Sequence, residues 1–174
     1  EKLSDGADVF QLYNDVHAKQ ALYWIVEDDS GNSNCEDKYF NERFGLSLLN
    51  YSAPVIGSQR SWINSNPTCL WSTVVCKDLV PKELNLNQLQ LFGPMPKYTC
   101  FLQSFSRLDF GSNSFTGSIP SEIGLLTSLN DLGLAGNSLT GSIPSEIGLL
   151  TSLNDLDLAL NGLTGSIPPE IGLL

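Results

Sequence analysis

From Leu84 onward the apolar residues fall on a recurring frame. Leu132 and Leu134 alternate with Asp131, Gly133 and Ala135, the period of two expected of a short strand with one buried face. The same alternation stands 24 residues earlier at Leu108 and Phe110, and again at Leu84 and Leu86. Residues 117–150 and 141–174 share 30 identities in 34 positions, and GSIPSEIGLLTSLNDL recurs unchanged. A unit of this size cannot bury its apolar face alone, so neighbours must stack and their strands form a parallel sheet. The pattern divides the chain into a cap over 1–83 and repeats over 84–174.

Within one unit the frame reads Leu129-x-x-Leu132-x-Leu134-x-x-Asn137-x-Leu139-x-Gly141-x-Ile143-Pro144. Asn137 closes the strand, where a side-chain amide can satisfy backbone groups of a turning chain. Asn113 and Asn161 occupy the same place, so the three are expected to stack as a structural ladder; the first unit has Leu89 there, and the ladder starts at Asn113. Gly141 permits a tight turn and Pro144 fixes an extended segment, which excludes long helices from the back of the units. Ile143, Ile147, Leu150 and Leu153 complete the apolar filling, where truncation to Ala costs about 2 to 5 kcal/mol.

Strand positions that alternate with the leucines form two outward rows. One is Glu83, Arg107, Asp131, Asp155, and the other Asn85, Asp109, Gly133, Asp157. Glu83, Arg107, Asp109, Asp131, Asp155 and Asp157 are therefore the candidate partner-binding residues. Small neighbours (Gly111, Ser112, Gly133, Ala135) keep this face flat, which suits an extended partner and makes a poor catalytic pocket. Leu160 replaces a polar position at its rim. A different pair of rows, Thr116, Thr140, Thr164 and Ser118, Ser142, Ser166, falls on the turn that follows.

The string LTGSIPSEIGLLTSLNDLDLALNGLTGSIP resembles the plant-specific class of leucine-rich repeats, marked by L-T-G-x-I-P, in an algal or diatom-like wording. Upstream, Trp62 and Cys69-Leu70-Trp71-Ser72-Thr73-Val74-Val75-Cys76 resemble that family's N-terminal cap, with Thr73 where glycine is usual. The resemblance implies an α/β repeat fold: a right-handed solenoid with a concave parallel sheet, an irregular convex side with a second short strand per turn, and a helical, disulfide-bridged cap. The cap helix is expected over 16–26, where Ala18, Ala21, Leu22 and Ile25 share one helical face. Residues 31–60 fit the family least and read as an insertion, either wrapping the cap or serving as a docking surface. As a class the family implies binding: receptor ectodomains, inhibitors of wall-degrading enzymes, and secreted structural or ice-interacting proteins.

Four cysteines, Cys35, Cys69, Cys76 and Cys100, all precede the regular repeats. Their spacing lacks a zinc knuckle, and the single histidine, His17, cannot complete a Cys/His metal set. Disulfides Cys69–Cys76 and, by elimination, Cys35–Cys100 are expected; three connectivities and four buried thiols remain open. Bridges place the chain in an oxidising compartment, extracellular or secretory, with an organellar (thylakoid) lumen as the alternative. Asn50 begins an N-glycosylation sequon.

Net charge changes the picture once more. With 19 acidic and 9 basic residues the formal charge is -10, which argues against nucleic acid and anionic lipid and favours a protein partner with a basic surface. No run is long and apolar enough to span a bilayer, the first residues lack a signal peptide, and any targeting segment is expected outside this chain. The last repeat breaks off at Ile171-Gly172-Leu173-Leu174 without a polar capping unit, which is expected of a fragment or of an end that a partner covers. No phosphate-binding glycine loop occurs, and the acidic residues recur with the repeat without a distinctive base partner. The expectation is a non-enzymatic recognition or assembly module needing neither cofactor nor metal. Alternatives are a structural or surface-acting extracellular protein (matrix, fibre or ice-associated) and a luminal scaffold subunit of an organellar complex.

Overall fold

Each of the last three units folds into two short strands and one 3-10 turn. The computed structural model describes residues 68–95 and 102–174; the expected 16–26 helix, the 31–60 insertion, Cys35, Cys100 and Asn50 lie outside the described residues. The inner strands are β2 (Val80–Asn85), β4 (Arg107–Asp109), β6 (Asp131–Gly133) and β8 (Asp155–Asp157). They pair in parallel with Leu84, Leu108, Leu132 and Leu156 side by side. The first three of these leucines are fully buried, because alternation turns one side of every inner strand toward the core. The boundary drawn at residue 84 falls inside β2.

At the leading edge β1 (Val74–Lys77) joins β2 antiparallel. The connection is two residues, Asp78 and Leu79, both left-handed with φ of 52° and 64°, the geometry that matches strand twist in a tight hairpin. The Cys69–Cys76 disulfide ties the 3-10 turn Thr68–Leu70 to β1. Trp71 and Val74 pack beneath it as the first layer of the core.

The outer strands are β3 (Phe92–Pro94), β5 (Ser114–Gly117), β7 (Ser138–Gly141) and β9 (Gly162–Leu163), again parallel. Their side-by-side partners lie 22 residues apart in sequence, Thr116 beside Ser138 and Thr140 beside Gly162. The second strand per turn is therefore present, and it carries Thr116 and Thr140, read as turn residues, while Thr164 follows the end of β9. Between the sheets lie the leucines and the phenylalanines Phe105, Phe110 and Phe115, the last two edge-on at 6.1 Å, a favourable aromatic arrangement.

The back of the solenoid carries 3-10 turns at Ser121–Leu125, Ser145–Leu149 and Pro169–Leu173, each entered from an extended proline. The proline fixes where each turn begins, since it is tolerated at a helix start but not inside one. Gly124 and Gly148 are buried here because a Cβ would lie 2.7 Å from the Glu146 carbonyl oxygen or 2.6 Å from that of Glu170.

Candidate functional site

The site is built on the asparagines that join the two sheets. Asn137 donates to the carbonyls of Phe110 (3.1 Å) and Leu134 (3.0 Å) and accepts from the Phe115 N–H (3.0 Å). Asn113 does the same one unit earlier, donating to Leu86 and Phe110 and accepting from Leu89 and Leu91. Asn161 repeats it toward Leu134, Leu158 and Leu139. Each amide thus bridges its own turn and the preceding unit, using both donors and its acceptor. The first unit, with Leu89 in that place, lends a backbone N–H to Asn113 instead.

This frame fixes the outward rows. Glu83, Arg107, Asp131 and Asp155 stand side by side on β2, β4, β6 and β8, and so do Asn85, Asp109, Gly133 and Asp157. Their availability differs sharply. Asp109 accepts from the Gly111 N–H at 2.9 Å and from Asn87 Nδ2 at 3.1 Å. Asp157 accepts from the Ala159 N–H at 3.0 Å, and Asn85 from the Asn87 N–H at 3.0 Å. In this row the side chain stabilises the turn two residues ahead, the Asx arrangement. Arg107 Nη1 pairs with Asp131 Oδ2 at 2.8 Å. Glu83 and Asp155 have no side-chain partner among the described residues.

Together these groups line a shallow trough of about 350 Å³, bounded by Asn87, Arg107, Asp109, Asp131, Asp155 and Asp157 and floored by Gly111, Gly133 and Ala135. Gly133 keeps it open: a Cβ there would lie 3.0 Å from Asp109 Oδ1. At the rim, Leu160 is 85% exposed at a φ of 54°. Its place in the repeat is left-handed in every unit, at Gln88, Ser112 and Gly136 as well, since the chain must turn there to bring the asparagine inward. Among the described residues no set of three His, Cys, Asp or Glu side chains is placed to hold a metal ion, and no helix is long and apolar enough to cross a membrane. Sequence reasoning missed Asn87 and the Arg107–Asp131 pair. The second was readable from the 24-residue offset that makes the two residues neighbours.

Comparison with known proteins places this architecture. The Leucine Rich Repeat family matches residues 104–126, 128–150 and 152–174. A chain in the BIR3–SERK2 complex from Arabidopsis thaliana is 35% identical with a TM-score of 0.69, over 74% of this chain and 73% of that one. The chain belongs to the plant-type leucine-rich-repeat family. This leucine-rich-repeat protein is also similar to the BIR2 ectodomain from Arabidopsis thaliana, 26% identical with a TM-score of 0.64, over 74% of this chain and 72% of that one. A plant ice-binding protein is 28% identical with a TM-score of 0.54, over 76% of this chain and 52% of that one. No curated protein matches the leucine-rich-repeat chain by sequence.

Proposed function

We propose that the chain is a non-enzymatic recognition module that binds an extended, basic protein segment along the inner sheet. The observation that carries this reading is the open trough, where Asp155 is unpaired while Arg107 offsets Asp131, with Glu83, also unpaired among the described residues, next to Arg107 in the same row. Clustered carboxylates on a flat floor attract and align cationic side chains. The trough brings together no nucleophile, base and orienting group, the set that catalysis by side chains requires. Family membership supports a protein-interaction scaffold, as the similar chains include one from a two-protein complex and one ectodomain. The Cys69–Cys76 bridge supports an extracellular or secretory setting.

Titration with synthetic extended peptides of defined charge tests the reading. Cationic peptides are expected to bind with an affinity that falls as salt rises, and Asp155→Lys to abolish binding. Equal binding of cationic and anionic peptides, or indifference to Asp155→Lys, overturns it.

We propose a second, surface-directed reading in which the chain also binds ice. It is favoured by the likeness to the plant ice-binding protein together with uncharged hydroxyl rows on the outer strands. Slowed coarsening of ice crystals by the purified chain is the expected result, and unaltered coarsening excludes it.

A further inference from the structure

Resting on the second reading, we infer that ice contact is made by the outward face of the outer sheet, through Thr116, Thr140 and Thr164 with Ser118, Ser142 and Ser166, and that the inner face takes no part. Thr116 and Thr140 stand on β5 and β7, and Thr164 directly follows β9. All six side chains are exposed, and among the described residues no hydrogen bond engages any of their hydroxyls. This separates them from the inner rows, where Asp109, Asp157 and Asn85 are held by backbone N–H groups.

A free hydroxyl donates once and accepts twice, so it can take the place of a water molecule in a hydrogen-bonded lattice. What a lattice demands in addition is regular placement. Parallel strands lie about 4.8 Å apart, and alternate residues along one strand about 6.6 Å apart. The pairing of Thr116 with Ser138 and of Thr140 with Gly162 sets Thr140 one strand over and two residues along from Thr116, so the threonines run as an oblique row, with Ser118, Ser142 and Ser166 each just past the left-handed glycine that follows. Threonine is stiff at χ1, and ordering it against a solid surface therefore sacrifices little side-chain entropy.

The chemistry of the face also excludes other occupants. Residues 114–118, 138–142 and 162–166 contain no charged side chain, so no strongly held hydration shell competes with the lattice. Their sole aromatic ring, Phe115, is buried, which leaves no platform on which a sugar ring would stack. An uncharged, ring-free row of unpartnered hydroxyls fits ordered water better than a peptide or a polysaccharide.

The test compares ice recrystallisation at matched protein concentration for the full chain and three variants, with circular dichroism confirming folding. Thr140→Lys is expected to lose the activity. Asp155→Lys on the inner face and Thr151→Lys at an exposed position on the back are expected to keep it. If Thr140→Lys unfolds, Thr164→Lys, beyond the end of β9, replaces it. An inactive parent chain removes the second reading and this inference together. An active parent whose activity survives Thr140→Lys, or is lost in Asp155→Lys, overturns the assignment to this face while leaving ice binding in place.

Discussion

On the inner sheet Asp109 is held by Gly111 and Asn87, Asp157 by Ala159, and Asp131 by Arg107; on the outer sheet Thr116, Thr140 and their serine neighbours touch no partner. Both faces follow from the same alternation of apolar and polar residues. They differ in what the backbone needs nearby. Each inner strand runs directly into a left-handed turn, at Ser112, Gly136 and Leu160, and at the first and last of these an Asp side chain just before it, Asp109 or Asp157, stabilises the turn. Each outer strand leads to a glycine and then a proline, which need no such help. A polar residue at an outward position is thus either committed to its own fold or free, and the adjoining turn decides which.

Asn137→Ala is the substitution that would break both faces at once, because this amide joins the sheets. It leaves several part-buried backbone groups without partners and is expected to cost about 3 to 5 kcal/mol in chemical denaturation. Replacing Cys69 and Cys76 by Ala acts on the inner sheet alone, through the hairpin at its leading edge. For their sequence separation of 7, the loop-entropy relation predicts a loss of about 2.5 kcal/mol, readable as a lower melting temperature. The contrast itself is sharpened by pairing Asp109→Ala with Thr140→Ala. The first should cost about 1 to 2 kcal/mol by stranding the Gly111 N–H and Asn87, the second less than about 0.5 kcal/mol; equal losses would erase the distinction drawn here.

Leu160→Gly should run the other way. Its side chain is 85% exposed, so little packing is lost, and removing a left-handed leucine should stabilise the chain by about 1 kcal/mol. The smallest effect is expected of Arg107→Ala. The pair with Asp131 is 48% and 27% exposed, and such pairs contribute under about 1 kcal/mol. Stability should barely move, while binding of cationic peptides strengthens as Asp131 is released.

The stacked fold was legible because a 24-residue unit that repeats nearly unchanged must repeat its structure too. Leu108, Leu132 and Asn137 could each be placed from that period alone. The offset also put Arg107 beside Asp131, although not the orientation that lets them pair. Hidden from the sequence were features set by backbone direction. Asp78-Leu79 lacks the asparagine or glycine that advertises a tight hairpin, and yet the β1–β2 connection turns there. The carboxylates of Asp109 and Asp157 looked equivalent to that of Asp155, and only the turn that follows them reveals that theirs are occupied. The outer sheet pairs at an offset of 22 rather than 24 because its strands slant across the stack, a tilt that no single unit encodes.

Gly124 and Gly148 hold consecutive 3-10 turns against one another at the back, while strand pairing sets the separation in front. A stack bends by the difference between those two spacings, so what fills the back sets how far the sheet in front can close. A side chain at either glycine would wedge two turns apart, and the change would be felt as a different bend of the stack rather than as a local gap.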